Sequence, residues 1–170
     1  ILNMASGRVA KRFGFMGMSY SICSACATSS HAIMTAFDTI RLGRSDIVVA
    51  GGAEGALVPL SVACFNACNA LSTDNKNYQT ASKPFDSNRS GFVMGEGAGV
   101  LVLEEYEHAK KRGANILAEV VGYGMSGDAY HITSPPEDGN GGFRSMQMAL
   151  KRAGIAATDV DYINAHGTST

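Results

Sequence analysis

The sequence predicts an α/β fold, with helices layered against a mixed or parallel sheet. Three observations carry that prediction. Apolar segments with the pattern of strands alternate with segments of helical period. Asp46-Ile47-Val48-Val49-Ala50 is apolar without alternation, as in a strand covered on both faces of a parallel sheet. Glycine supplies 20 of the 170 residues, above the usual level of about 7%, so backbone turns sharply or meets backbone closely at many points.

The elements follow in order. Ile1, Ala5, Val9 and Phe13 recur every four residues and mark one face of a helix, which Gly14 and Gly17 end. Met18, Tyr20 and Ile22 alternate with Ser19, Ser21 and Cys23, the pattern of a strand. The small residues Ser24–Ser30 turn the chain into a second helix, with Ile33, Ala36, Phe37 and Ile40 on one face and Gly43 at its end. The strand at 46–50 is closed by Gly51-Gly52. Residues 60–71 are expected to be helical, and 72–89 a loop rich in turn residues. From Gly91 to Glu104 the pattern reads as strand, glycine-rich crossing, strand. Glu104–Arg112 forms a short helix, acidic first and basic last, in keeping with the helix dipole. Ile116–Val121 is expected to be a strand, 123–141 a long loop with Pro135-Pro136, and Phe143 to Ala153 a helix stopped by Gly154. Val160–Asn164 completes the series as a strand, ahead of His166-Gly167-Thr168-Ser169-Thr170.

Composition narrows the function. With 45% hydrophobic and 17% charged residues, the chain has the means to bury a core and is not a disordered one. A net charge of −1 offers no electrostatic footprint for nucleic acid. No apolar run approaches the roughly 18 residues of a membrane span, and no signal peptide is visible. The chain opens at Ile1 without an initiator Met and stops after a motif-like run, which reads as a fragment. Four cysteines, Cys23, Cys26, Cys64 and Cys68, are too few for a disulfide scaffold and read as reduced thiols of a cytosolic protein. Their C-x-x-C and C-x-x-x-C spacings also admit a zinc site or a redox pair, beside the plainer reading of small buried apolar residues.

Two residues stand out chemically. Cys26 lies where a strand turns into a helix. Backbone N–H groups at a helix start favour an anion, so a thiolate there is a better nucleophile, and the same groups can hold the oxyanion of an attacked thioester. A buried structural cysteine is the competing reading. His166 lies at the end of a strand, where ligands of α/β sheets gather. With Cys26 it makes a thiol–imidazole constellation, although a lone histidine is more often structural. The hydroxyls of Thr168 and Thr170 suit an extended polar ligand. His31 reads as packed or half-exposed on its helix, His108 as surface, and His131 as a loop residue. Gly95-Glu96-Gly97-Ala98-Gly99 lacks the lysine of a phosphate-binding loop and reads as a site of close chain packing.

Taken in order, Ser24-Ala25-Cys26-Ala27-Thr28-Ser29, Ala50-Gly51-Gly52-Ala53-Glu54, Ala70-Leu71-Ser72-Thr73, Phe92 to Gly99 and Asn164 to Thr170 resemble a beta-ketoacyl acyl-carrier-protein synthase. Leu103 to Ala114, and Asp128-Ala129-Tyr130-His131 on to Pro135-Pro136, resemble the type II bacterial elongating class. The resemblance spans the chain. It implies a thiolase-like fold of alternating α and β layers (αβαβα), of which residues 1–170 would be a central portion: the end of the N-terminal half and the start of the C-terminal half. It implies a cytoplasmic homodimer, with Met18–Cys23 near the two-fold axis. The implied reaction is a decarboxylative Claisen condensation of an acyl thioester with malonyl-acyl-carrier protein. No cofactor or metal is implied, because phosphopantetheine arrives on the carrier protein.

Carried onto this sequence, Cys26 is the acylated nucleophile and His166 the first of two catalytic histidines. Thr168, Thr170 and Thr133 would line the phosphopantetheine tunnel, and Phe65 would border the acyl pocket. Cys23 then falls on a strand and needs no redox role. The family's second histidine, its lysine and its glycine-rich gate lie beyond the His-Gly-Thr motif. At Asn69 many bacterial relatives carry a basic residue that helps to dock the carrier protein; here it is neutral. A polyketide ketosynthase domain is the alternative, although such domains are richer in serine after the cysteine than Cys26-Ala27-Thr28-Ser29. A non-catalytic partner subunit would replace the nucleophile, and a zinc-binding interaction module is the third reading.

Overall fold

The computed structural model describes residues 1–170. The chain forms two compact units, Ile1–Lys111 with His166–Thr170, and Arg112–Ala165.

The first unit is organised around two strands and one helix. α1 (Met4–Phe13) ends in Gly14, as the four-residue apolar period predicts. A 3-10 turn, Ala25–Ala27, leads directly into α2 (Thr28–Arg41). β1 (Ile47–Glu54) pairs antiparallel with β2 (Gly97–Glu104), from Ile47 opposite Glu104 to Glu54 opposite Gly97. Between the strands lie α3 (Pro59–Ala67), opened by a proline that suits a first helical turn, and a long loop. α4 (Tyr106–Lys111) follows β2.

The core is the seam between α2 and the sheet. Ala36, Ala50 and Leu103 are buried there, with Ile33, Ile40 and Val48 packed around them. These are the helix-face residues and strand residues that the sequence pattern marks as core. Small alanines at the centre let α2 lie close on β1.

In the second unit, α5 (Asn140–Ala153) ends at Gly154, whose φ of 70° is the left-handed conformation expected at a helix C-terminus. The extended segment before it lies along the helix. A Cβ on Gly124 would meet the Ser145 carbonyl oxygen at 1.8 Å, and one on Gly122 the Ala153 nitrogen at 2.7 Å. Arg152 caps the contact, its guanidinium 4.3 Å from the Tyr123 ring centre and donating to the Tyr123 carbonyl.

Several expectations are corrected. The sheet is antiparallel, because a strand covered on both faces carries the same unbroken apolar pattern beside either kind of neighbour. β1 does not close at Gly51-Gly52 but runs through it to Glu54. Residues 91–104 contain a single strand; Phe92 makes only a bridge to Leu71. Met18–Cys23, Ile116–Val121 and Val160–Asn164 are not strands. A strand exists through its ladder, and no segment of this chain pairs with these three. All four cysteines are exposed free thiols, and α3, which carries Cys64, buries none of its residues.

The uncovered apolar surface is large. Val100, Leu101 and Val102 are consecutive on β2 and so face alternate sides, yet they are 58%, 49% and 66% exposed. The chain exposes 13140 Å² in all, whereas a self-contained globular protein of 17.8 kDa exposes about 8,000 Å².

Candidate active site

Cys26 sits at the middle of the 3-10 turn that opens α2, with its thiol exposed. Local sequence explains the turn. Ser24 has φ −154° and ψ 45°, its carbonyl accepts the Ala27 N–H at 3.1 Å, and its own N–H donates to Thr28 Oγ1 at 2.9 Å. Between them Ala25 is held at φ 49°, in the left-handed region. That conformation costs a residue with a side chain roughly 1–2 kcal/mol and is characteristically kept at functional turns.

The turn borders an open cleft of about 400 Å³. Ala25, Cys26, Thr28 and Ser29 form one wall. Gly52, Ala53 and Glu54 at the end of β1 and Gly97, Ala98 and Gly99 at the start of β2 form the other. Of these glycines and their neighbours, Gly51 and Gly52 of β1 are the crowded ones. A Cβ on Gly52 would lie 1.9 Å from Ser29 Oγ, and one on Gly51 would lie 2.1 Å from the Gly99 carbonyl oxygen. The first turn of α2 therefore sits directly on Gly52 of β1, and this contact positions Cys26 over the sheet. The sequence reading of Gly95–Gly99 as a place of close packing is corrected: a Cβ on Gly95, Gly97 or Gly99 would meet nothing within 4 Å, and the close approach is at Gly51. That Gly97–Gly99 lines the cysteine's cleft is visible only in three dimensions.

His166 belongs to the same compact unit as Cys26, in the segment His166–Thr170. It is exposed and is not among the residues that line the cleft. The structure gives no thiol–imidazole hydrogen bond between them. The tail itself is firmly held. Ser169 is 2% exposed with φ 67°. Its Oγ accepts the Lys83 N–H at 3.1 Å and its carbonyl accepts the Gly91 N–H at 2.8 Å. A Cβ on Gly167, at φ 43°, would press on the Phe85 ring at 3.1 Å. Thr168 and Thr170 flank this anchor with their hydroxyls 2.6 Å apart, forming one polar pair. The loop 81–92, which the sequence marks only by its turn residues, is thus the platform for the His-Gly-Thr segment.

The other candidates are placed as follows. Phe65 on α3 is 40% exposed and meets Phe92 edge to face, ring centres 5.1 Å apart; it does not line the Cys26 cleft. Thr133 lies in the second unit, in the loop before α5, where its N–H donates to His131 Nδ1 at 3.2 Å. His108 is half-buried and bonded to Glu104 rather than a bare surface residue. Sequence reasoning missed Ser24 and His31 as a pair: Ser24 Oγ and His31 Nδ1 are 2.6 Å apart. Ser24 precedes the helix in a non-helical conformation, so no helical period announces the contact.

A cysteine exposed on a left-handed turn at the head of a helix, with that helix resting on a strand at Gly52, presents a thiol to an open cleft in an α/β layer. The sequence matches the beta-ketoacyl synthase N-terminal domain over residues 1–109 and the C-terminal domain of the same family over residues 117–170. The chain belongs to the beta-ketoacyl synthase family, and its fold is a portion of that family's thiolase-like α/β fold. Among curated relatives it is 58% identical to 3-oxoacyl-[acyl-carrier-protein] synthase 2 of Rhizobium meliloti, covering 100% of this chain and 41% of that protein. It is 54% identical to a mitochondrial 3-oxoacyl-[acyl-carrier-protein] synthase of Arabidopsis thaliana, covering 100% of this chain and 37% of that one. Among solved structures it superposes with a TM-score of 0.94 and 47% identity on a type II polyketide ketosynthase bound to a hexaketide and its acyl-carrier protein, covering 98% of this chain and 41% of that one. A beta-ketoacyl synthase from Burkholderia phymatum gives a TM-score of 0.92 at 43% identity, covering 99% of this chain and 40% of that one. The chain thus spans about two fifths of the length of these proteins.

Proposed function

We propose that this chain is the central portion of an elongating beta-ketoacyl-acyl-carrier-protein synthase of fatty-acid synthesis, an acyltransferase that joins an acyl thioester to a malonyl unit. The observation that carries the reading is the placement of Cys26: an exposed thiol on a strained turn at a helix start, bordering an open cleft. In the first step the Cys26 thiolate attacks the acyl thioester carbonyl, and the phosphopantetheine thiolate of the carrier protein leaves. Malonyl-carrier protein then releases carbon dioxide, and the resulting enolate carbon attacks the Cys26 thioester. The new carbon–carbon bond forms as the Cys26 thiolate departs.

His166 donates to the malonyl thioester carbonyl and stabilises the enolate, the place where a fixed donor gives most. The hydroxyl pair of Thr168 and Thr170 contacts the phosphopantetheine arm, and Phe65 borders the acyl chain. No resident cofactor is needed, since the arm comes with the substrate. Further support for a partial domain comes from β2, whose Val100 and Val102 leave one apolar face uncovered here. The remaining layers, and a second copy in a homodimer, would cover such a face; the second histidine and the lysine would come from the remaining chain, and the 170 residues alone would be inactive. Four unpaired thiols suit a reducing, cytoplasmic compartment.

A polyketide ketosynthase is the second reading, favoured by the 0.94 TM-score to the hexaketide-bound enzyme. The higher identity, 58%, to a synthase named for 3-oxoacyl-carrier-protein chemistry favours fatty-acid elongation. In the full-length protein, Cys26→Ala is expected to abolish transfer of radiolabelled acyl groups from carrier protein. Labelling of that variant at the normal rate would overturn Cys26 as the nucleophile. Polyketide extension beyond one condensation would support the second reading instead.

A further inference from the structure

We propose that Ser24 and His31 form a positioning pair that holds the Cys26 turn in its reactive shape. The inference deepens the proposed function and rests on Cys26 as the acylated group. Ser24 is fastened at three points. Its N–H donates to Thr28 Oγ1 at 2.9 Å, its carbonyl accepts the Ala27 N–H at 3.1 Å, and its Oγ is hydrogen-bonded to His31 Nδ1 at 2.6 Å. Ala27 closes the turn itself, and Thr28 is the first residue of α2. His31 lies three residues further on, the fourth residue of α2, whose face is packed on β1 through Ala36, Ile33 and Ile40. The Ser24–His31 bond is therefore the side-chain link that reaches furthest from the strained turn into the packed helix.

The strain sits at the next residue. Ala25 at φ 49° relaxes if Ser24 is released, and relaxation there rotates the peptide that carries Cys26. Both members of the pair are half-buried, so the bond is sheltered from water, and neither lines the cleft. They act on the reaction only through the geometry of Cys26, which makes them positioning residues.

The test uses the full-length protein and two readouts: alkylation of Cys26 by iodoacetamide, followed on its peptide by mass spectrometry, and acyl transfer from carrier protein. Ser24→Ala and His31→Ala are each expected to slow both about ten-fold, in kcat, with KM for the carrier protein unchanged. The double variant is expected to be no slower than either single one, since both cut one link. Ser24→Thr, which keeps the hydroxyl, is expected to react near the normal rate. Should the alanine variants not fold, His31→Asn, whose amide reaches the Nδ1 position, is expected to keep the rate where His31→Gln, which overreaches it, does not. Normal alkylation of Ser24→Ala, or of His31→Gln, overturns the pair. So does a double variant slowed by the product of the two single effects, or a rise in KM with kcat unchanged. Alkylation reports the cysteine's geometry whatever its role. Acyl labelling of Cys26→Ala would thus refute the nucleophile while the alkylation rates still judge the pair.

Discussion

The layer built from α2, β1 and β2 and the three apolar segments at 18–23, 116–121 and 160–164 are made of similar residues but end in different states. Val48-Val49-Ala50 and Val100-Leu101-Val102-Leu103 are paired strands. Tyr20-Ser21-Ile22, Ile116-Leu117 and Tyr162-Ile163 have the same strand-forming character and are irregular. The difference is a neighbour: β1 finds β2 across eight registered pairs, and the other segments find no strand partner in this chain. Strand propensity is a fitness for a pleated, half-buried surface, and the ladder and its cover must come from elsewhere in the fold.

The strongest way to break the ordered layer is at Gly52. Gly52→Val places a branched side chain where even a Cβ would lie 1.9 Å from Ser29 Oγ. We expect a loss of about 3 kcal/mol in stability from overpacking and loss of acyl transfer, as α2 lifts from β1. Urea unfolding together with acyl labelling checks it; a variant that melts and labels normally would show that the contact does not position Cys26.

A substitution at Val102 sharpens the comparison between covered and uncovered apolar surface. Val102 is 66% exposed in this chain. Val102→Ala is expected to be near neutral in the 170-residue chain and to cost about 2 kcal/mol in the full-length protein, where the remaining layers cover β2. Equal effects in both, read by chemical denaturation, would argue against that cover.

The smallest effect is expected at the tail. Ser169→Ala removes the acceptor of the Lys83 N–H. A loss of about 1 kcal/mol is expected, with a modest rise in KM for malonyl-carrier protein as the Thr168–Thr170 pair loosens. Steady-state kinetics at varied carrier protein would show it, and an unchanged KM would detach the anchor from the site.

Much of the fold was legible because local rules govern it. The helical period at Ile33, Ala36, Phe37 and Ile40 marked the face that packs, and Gly14 and Gly154 marked helix ends, since only the spacing of apolar residues and the conformation of a cap are involved. The strand calculus failed where pairing was needed: the antiparallel register, the passage of β1 through Gly51-Gly52, and the three unpaired segments. The site divided in the same way. Cys26 and the His166–Thr170 run stood out in the sequence. The Ser24–His31 bond, the seat of Ser29 on Gly52 and the burial of Ser169 against the loop 81–92 did not, because each joins residues whose contact depends on how elements are brought together.

By itself, then, the sequence determined which residues carry chemistry and which local segments are helical: these are properties of residue type and of spacing within a few turns. Only the tertiary structure decided which strands are strands, which glycines leave room for the helix that bears the cysteine, and which serines hold the backbone in place. Those depend on hydrogen-bond partners and excluded volume between segments far apart in the chain, as with Ser29 against Gly52 and Ser169 against Lys83.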